Sequence, residues 1–394
     1  MNFQNIASIQ QKNNMFIWIK VSKKNVFILL FVFLFGGCMI RPGLPFDRLE
    51  ISREQMEISS KITPIYINGR YQNPFPPDEK SDTTPFKVHF SKNKAITRPA
   101  EHLPAYQVDL FNLFNEDHHS FYISWLGHST IIMQFEGKKI LIDPVLVNNI
   151  SPFPLIKIKR YQATAPLKTD DLPIIDAVFI SHNHYDHLDK QTIKKLKDKT
   201  HIFIVPEGVG KYLKKWGIEK SKIKEVSWWD EGEIYSDQKK MTFVCTPARH
   251  FSGRGIYSIN NSLWASFVFI GENNRVFYSG DSSYNYHFKQ IGHHYGPFNL
   301  SIMECGQYNE AWSESHLFPE ETVRAHIDLK SDFLLPVHWG SFTLSKHDWW
   351  EPIERVSKVA IKKNVNIITP KVGEVIYLKK NTYTTEWWKD FIND

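Results

Sequence analysis

From residue 120 onward the chain alternates between short apolar, β-branched runs and stretches whose apolar residues recur at helical spacing. Residues 121–125, 129–135 and 139–142 read as strands of one meander, with Glu136-Gly137 as the turn between the last two and Asp143-Pro144 as its end. Residues 177–181 form a short apolar run, followed at once by a loop rich in His and Asp and then by a helical pattern at 190–197. The alternation repeats, with strands predicted at 202–206, 241–247, 265–270, 275–279 and 300–304 and helices at 209–216, 320–328 and 348–362. Strands in two batches, each followed by helices, suit an α/β fold in which two β-sheets pack face to face and helices flank them. The chain contains no repeat of fixed period.

Before residue 119 the pattern fades. Residues 38–118 are rich in Pro and polar side chains, including Asn73-Pro74-Phe75-Pro76-Pro77, and are expected to form an irregular extension wrapping the main domain at 119–394.

The loop after the fourth predicted strand carries the densest chemistry, His182-Asn183-His184-Tyr185-Asp186-His187. Two histidines two apart on extended backbone point the same way, and the turn that follows aims Asp186 and His187 at a second point nearby. Each residue alone reads equally well as a cap or a satisfied polar group. Together, three histidines and an Asp buried without a metal would leave several polar groups unpaired, each costing kilocalories.

The order of this run resembles the signature of the metallo-β-lactamase superfamily, whose fold is an αββα sandwich. Three further positions of that superfamily's ligand set follow: His250 in Thr246-Pro247-Ala248-Arg249-His250, Asp281 in Tyr278-Ser279-Gly280-Asp281, and His338 in Leu335-Pro336-Val337-His338-Trp339-Gly340. The resemblance implies that His182, His184 and His250 hold one metal, that Asp186, His187 and His338 hold the other, and that Asp281 bridges them. Imidazole and carboxylate ligands without thiolate suit Zn²⁺ first and are compatible with Mn²⁺ and Fe. Two metals about 3.5 to 4 Å apart share and activate a hydroxide, so the chemistry needs no Ser or Cys nucleophile. Asp143 reads either as an acceptor that orients a ligand histidine or as a turn-forming Asp before Pro. Gly208-x-Gly210-Lys211 lacks the rest of a phosphate-loop pattern and reads as turn and helix cap.

Several stretches are similar to one branch, the phospholipases D that hydrolyse N-acyl phosphatidylethanolamines and their bacterial relatives. These are Gly69-Arg70-Tyr71-x-Asn73-Pro74, Trp125-Leu126-Gly127-His128-Ser129-Thr130, residues 292–297, and His338-Trp339-Gly340-Ser341-Phe342. In that branch a Tyr inside the metal motif and a His in the loop before the penultimate helix contact substrate. The matching positions here are Tyr185 and His316, so Asp186, Asp281 and His316 become the expected catalytic residues. A surface-loop histidine is the alternative for His316. Tyr308, Trp312, Phe318 and Trp339 either wall a pocket for acyl chains or a sugar, or belong to the core.

The function expected from this resemblance is phosphodiester hydrolysis of phospholipase D type on N-acyl phosphatidylethanolamine-like lipids. A lactonase acting on a sugar-phosphate or acyl lactone with the same metals is the first alternative, and a non-catalytic surface binding lipoprotein the second.

Composition locates the chain. At 394 residues and 42% hydrophobic content it can bury a full core. Lys20, Lys23 and Lys24 precede the apolar run 26–35, and Gly36-Gly37-Cys38 follows, the order of an export signal too short to span a bilayer. The ending resembles the lipobox of bacterial lipoproteins, implying a signal at 1–37, a lipidated Cys38 and a membrane-anchored protein of the cell envelope; Phe35 departs from the usual small aliphatic residue. Met15 begins a more ordinary signal and is the expected start of translation. Residues 1–37 hold four lysines and no acidic residue, so removing them takes the formal charge from +6 to +2 (6 − 4); the basic balance is mostly signal and does not argue for nucleic-acid binding, so no nucleic-acid partner is expected. Cys245 and Cys305 lie in apolar segments without CxxC spacing and read as two buried thiols.

Overall fold

Side chains alternate across a β-strand, so a strand buried on both faces must be apolar at successive positions, and that condition organises this molecule. The computed structural model describes residues 58–75, 95–114, 121–153, 155–236, 239–378 and 385–392. The expected signal at 1–37, Cys38 and the start at Met15 lie outside these residues. Among the described residues no helix is long and apolar enough to cross a membrane.

The strands in chain order are β1 (Ile65–Ile67), β2 (Arg70–Gln72), β3 (Tyr122–Trp125), β4 (Ile131–Phe135), β5 (Lys138–Ile142), β6 (Ile175–Phe179), β7 (Thr200–Pro206) and β8 (Ile223–Val226). They continue with β9 (Glu231–Ser236), β10 (Lys239–Thr246), β11 (Ser266–Ile270), β12 (Arg275–Tyr278), β13 (Phe298–Glu304), β14 (Ser331–Val337), β15 (Asn366–Ile367) and β16 (Val375–Tyr377). The α-helices are α1 (Leu110–Leu113), α2 (Lys190–Leu196), α3 (Gly210–Lys215), α4 (His287–His294), α5 (Pro319–Asp328) and α6 (Glu351–Lys362).

Two seven-stranded sheets result, ordered β16-β3-β4-β5-β6-β7-β8 and β15-β14-β13-β12-β11-β10-β9. Each starts as an antiparallel meander and continues as a parallel run, β5 to β8 in the first and β12 to β15 in the second. Ala177 and Phe179 of β6 join the core between the sheets with Ile140, Ile142 and Ile204, while Val178, Ile180, Leu141 and Phe203 face outward onto Ile193 and Leu196 of α2 and Leu213 of α3. Phe288 and Ile291 of α4, Val323 of α5 and Ile353 and Val356 of α6 complete the large core cluster on the side of the second sheet. Strands running the same way end together, and the loops after β6, β10, β12, β13 and β14 supply most of the candidate site, the usual place for one in an open α/β sheet.

The sandwich and the strand-to-helix placement of the metal motif follow the sequence pattern. Elements the pattern did not give have physical reasons. β9 (EGEIYS) is an edge strand with acidic residues facing out, and α4 (HFKQIGHH) offers only Phe288 and Ile291 as an apolar stripe. The stretch read as irregular contains the β1–β2 hairpin, and its Tyr71, Phe75 and Leu103 are buried in the main core. The Tyr71 hydroxyl donates to Glu207 at 2.8 Å. Gly208, at φ +81°, turns the chain into α3, and Lys211 donates to the Asn261 carbonyl at 3.0 Å, so that fragment is a turn and helix start. Cys245 and Cys305 are buried free thiols.

Candidate metal centre

β6 ends at Phe179, and α2 is held by Asp189, whose carboxylate accepts the Thr192 N–H at 2.6 Å. Between them the loop presents His182, His184, Asp186 and His187. Arg254 braces it from outside, donating to the carbonyls of Asn183 at 2.9 Å and Leu188 at 2.7 Å. Gly280, at φ +56°, lets the chain turn after β12 so that Asp281 enters the site; a Cβ there would stand 2.6 Å from the Ala265 carbonyl oxygen.

Asp281 is the hub. Its Oδ2 lies 3.1 Å from His187 Nε2, 3.3 Å from His338 Nε2, 3.7 Å from His182 Nε2 and 3.7 Å from His250 Nε2. Two groups of donor atoms surround it, each compact enough to hold one ion: His182, His184, His250 and Asp281 in the first, and His128, Asp186, His187 and His338 in the second. A third group, Asp281, Glu304, His316 and His338, shares atoms with both. All seven sequence-predicted positions therefore come together.

The histidines are oriented from behind. His187 Nδ1 donates to Asp143 at 2.7 Å, His250 Nδ1 to the Ser315 carbonyl at 2.7 Å, and His338 Nδ1 to the Gly306 carbonyl at 3.2 Å. Holding Nδ1 leaves Nε2 as the free lone pair, the arrangement typical of metal-binding imidazoles. His187 Nε2, His338 Nε2 and Asp281 Oδ1 are buried without a hydrogen-bond partner. Buried polar atoms are otherwise satisfied almost throughout folded proteins, so these orphans, with an N/O donor set, fit divalent metal ions.

The electrostatics divide the ligands into two sets. Burial holds His182 and His250 well below the usual imidazole value and brings His184 down to about 4, which keeps these rings neutral, as ligation requires. Burial also opposes charge on His187 and His338, yet the Asp281 carboxylate outweighs it, raising His187 well above its ordinary value and His338 to about 10. Burial pushes the Asp186 and Asp281 carboxyls upward, but the neighbouring His187 charge outweighs it and holds both well below the usual carboxylate range.

Two residues join the site that the sequence did not single out. His128, in the turn after β3 at φ +53°, has Nε2 at 2.9 Å from Asp186 Oδ2, and its carbonyl accepts the His338 N–H at 2.8 Å. Burial, reinforced by the His338 charge, lowers it to about 3. Glu304, ending β13, is fully buried and lies 2.7 Å from His316 Nδ1. In the sequence His128 lies within Trp125-Leu126-Gly127-His128-Ser129-Thr130, which assigns it no role, and Glu304 is the one charge closing the apolar run FNLSIME.

Asp143 is no mere turn residue, since it accepts from Ser181 N, Ser181 Oγ, Tyr278 Oη and His187 Nδ1 at 2.7, 2.5, 2.6 and 2.7 Å. A cavity of about 270 Å³ opens over the cluster, lined by His184, Asp186, Phe251, Asp281, Gln307, Trp312, His316, His338 and Leu344. His316 is thus at the pocket wall. Tyr185 does not line it: its hydroxyl donates to the Arg254 carbonyl at 3.1 Å, and the Arg254 guanidinium lies 3.8 Å from its ring centre. Of the four aromatics near the motif loops only Trp312 faces the pocket. Trp339 is core, packed on Trp125 and Trp387 at 5.3 and 5.6 Å between ring centres, and Tyr308 packs on His347 at 4.6 Å. A larger groove of about 620 Å³, beside Tyr106, Tyr122 and Lys371, contains none of the candidate ligands.

The family model of the beta-lactamase superfamily domain matches residues 138–339, half of the chain and all seven predicted ligands. The chain belongs to the metallo-β-lactamase superfamily. Within it, an uncharacterized Mycobacterium tuberculosis protein is 36% identical over 338 residues, 84% of this chain and 88% of that protein. The N-acyl-phosphatidylethanolamine-hydrolyzing phospholipase D 1 of Caenorhabditis elegans is 31% identical over 284 residues, 68% of this chain and 80% of that one. Among solved structures, the isothiocyanate hydrolase from Delia radicum gut bacteria aligns at TM-score 0.51 and 18% identity, covering 65% of this chain and 98% of that chain, a likeness of fold alone. As a member of this superfamily the chain is a metal-dependent hydrolase.

Proposed function

We propose that this metallo-β-lactamase superfamily member is a phosphodiesterase of phospholipase D type acting on N-acyl phosphatidylethanolamine-like lipids. The observation that carries the reading is the pocket wall. Besides the predicted ligands and His316 it is made of Phe251, Trp312, Leu344 and Gln307, and among the described residues no Lys or Arg lines it. An apolar wall suits acyl chains, whereas a sugar phosphate calls for a cationic clamp, so the wall speaks against the sugar-phosphate lactone. The relationship to the Caenorhabditis elegans phospholipase supports the same substrate class.

In this reading His182, His184 and His250 would hold one zinc ion and Asp186, His187 and His338 the other, with Asp281 within reach of both groups. When bound, such a pair activates water as a nucleophile and offsets the negative charge that develops in the displacement. The chain's own residues do the rest. His187, His250 and His338 are locked by their Nδ1 bonds, so the donor atoms need no rearrangement. His316 sits at the wall with 13% of its side chain exposed, placed to meet a phosphoryl or leaving-group oxygen. Tyr185 reaches a substrate only beyond the pocket described here. Gln307 is a wall post, its side chain spent on the Phe342 carbonyl at 3.1 Å and the Leu344 N–H at 2.8 Å. A lipidated Cys38 would keep the enzyme beside its substrate in the cell envelope, though one acyl chain alone binds a membrane only marginally.

The test is to purify the chain from Arg41 onward, measure bound metal, and assay N-acyl phosphatidylethanolamine, bis-p-nitrophenyl phosphate and a lactone panel. Phosphodiester turnover is the expected result. Lactone turnover alone, with both metals bound, would replace this reading by that of an acyl lactonase, and no turnover of any ester by that of a binding protein.

A further inference from the structure

Glu304 ends β13 between β12 and β14, opposite Val337 in the parallel register and therefore one step from His338. It is fully buried, a costly place for a carboxylate, and both oxygens are committed. Oε1 accepts the backbone N–H of Ser282, the residue after Asp281, and Oε2 stands 2.7 Å from His316 Nδ1. The next carboxylate, Asp281, lies 3.9 Å from that nitrogen, beyond hydrogen-bond reach.

We infer that Glu304 is a positioning residue, whose carboxylate grips His316 by Nδ1 and so turns the Nε2 lone pair into the pocket, to accept the proton of the attacking water and hand it on to the leaving-group oxygen of the scissile ester. This rests on His316 being a substrate contact, as in the function proposed above. The loop backbone around His316 is already fixed, because the Ser315 carbonyl takes the His250 Nδ1 proton, Glu314 pairs with Arg249 at 3.0 Å, and Leu317 is buried. What remains free is the ring itself. A neutral imidazole has two tautomers and two flip states, and a loop histidine without a partner samples them all. A carboxylate at Nδ1 selects the Nδ1–H form and one flip state, leaving a bare Nε2, which has no partner among the described residues. An amide cannot substitute: both neighbours of Glu304 are donors, and Gln offers only one acceptor atom. The sheet thus couples the Asp281 loop and the His316 ring through one side chain.

The experiment uses the zinc-loaded full chain labelled with ¹⁵N-histidine, with His316 resonances assigned from His316→Ala. Long-range ¹H–¹⁵N spectra of the unsubstituted protein are expected to show His316 as the Nδ1–H tautomer, and Glu304→Gln to abolish that signature while bound zinc stays constant. On whichever ester the enzyme turns over, Glu304→Gln is expected to lower kcat about 10- to 100-fold with little change in KM. The double variant with His316→Ala is expected to fall no further than His316→Ala alone. An Nε2–H tautomer in the unsubstituted protein overturns the inference, as does multiplicative loss in the double variant. Zinc loss on Glu304→Gln with an unchanged His316 signature also overturns it, because Glu304 would then act through Ser282 and Asp281. The tautomer measurement needs no turnover, so it decides the role of Glu304 even if phosphodiester hydrolysis fails.

Discussion

Replacing Asp143 by Asn changes one atom and tests how the chain prepares a ligand. Four donors converge on this buried carboxylate: Ser181 N, Ser181 Oγ, Tyr278 Oη and His187 Nδ1. In Asp143→Asn the amide oxygen can keep the Ser181 N–H, which has no alternative, and the hydroxyls of Ser181 and Tyr278 can rotate to accept from the new NH₂. His187 cannot adapt without cost. To accept at Nδ1 it must carry its proton on Nε2, the nitrogen that faces Asp281 at 3.1 Å and belongs to the second donor group. A metal ion held by this group would have to restore the original tautomer against a donor, or bind without this ring. Partners of this kind are worth about 10- to 100-fold in metal affinity, which is roughly 1.4 to 2.8 kcal/mol. The loss should fall on the Asp186, His187 and His338 position and spare His182, His184 and His250. Losing the charge-assisted bond should also lower folding stability by about 1.5 to 3 kcal/mol. Competition titration against a chromophoric chelator, with atomic emission for stoichiometry, reads the first effect, and urea unfolding the second. Two zinc ions retained at unchanged affinity would refute the reasoning.

Other consequences are as direct. Asp281→Ala removes the shared carboxylate and is expected to lower bound zinc below one ion per chain and to abolish hydrolysis, checked by emission spectroscopy and the ester assays. His128→Phe keeps the packing on His338, 4.2 Å between ring centres, but deletes the partner of Asp186; zinc affinity at that position should fall about 10- to 100-fold, read by the same competition titration. After chelation the attraction between His338 and Asp281 stabilises the fold fully below the ordinary value of 6.5 and fades as pH rises through about 10. Zinc needs that nitrogen bare, so binding near pH 7 should release protons, measured by calorimetry in buffers of different ionisation enthalpy; heats independent of buffer would contradict the charge state described. Trp339→Ala should cost about 3 to 5 kcal/mol of stability, measured by chemical unfolding, because it empties a fully buried site packed by Trp125, Trp387 and Trp388.

Which of these residues a reader of the sequence could find depended on how far apart the cooperating groups lie. His182 to His187 is a local device, legible because four donors within six residues have no cheap alternative to a metal. His250, Asp281 and His338 are single residues at strand ends, and only resemblance to a family tied them to that loop; the fold explains it, since β10, β12 and β14 belong to one sheet whose loops face the metal motif. His128 and Glu304 escaped because each acts on a partner in another loop, Asp186 and His316, and no spacing rule joins them. Tyr185 shows the reverse limit, since adjacency to ligands placed it in the motif while the cation of Arg254 holds its ring outside the pocket wall. Weak elements were lost for want of periodicity, as with the polar α4 and the edge strand β9.

The pairing of β16 with β3, Val375 with Ser124 and Tyr377 with Tyr122, has a consequence for how the protein is made. During synthesis β3 emerges early, but its edge partner arrives only after both meanders and all the metal-facing loops. The segment at 385–392 that packs Trp387 against Trp339 comes later still. An incomplete chain therefore carries an open strand edge beside Trp125, a template for the strand of a neighbour. Closing it across so long an intervening stretch is slow. A nascent chain stalled before residue 375 would be a substrate for chaperones and proteases before it became a metalloprotein, so the order of synthesis places completion of the sandwich ahead of any chemistry its loops perform.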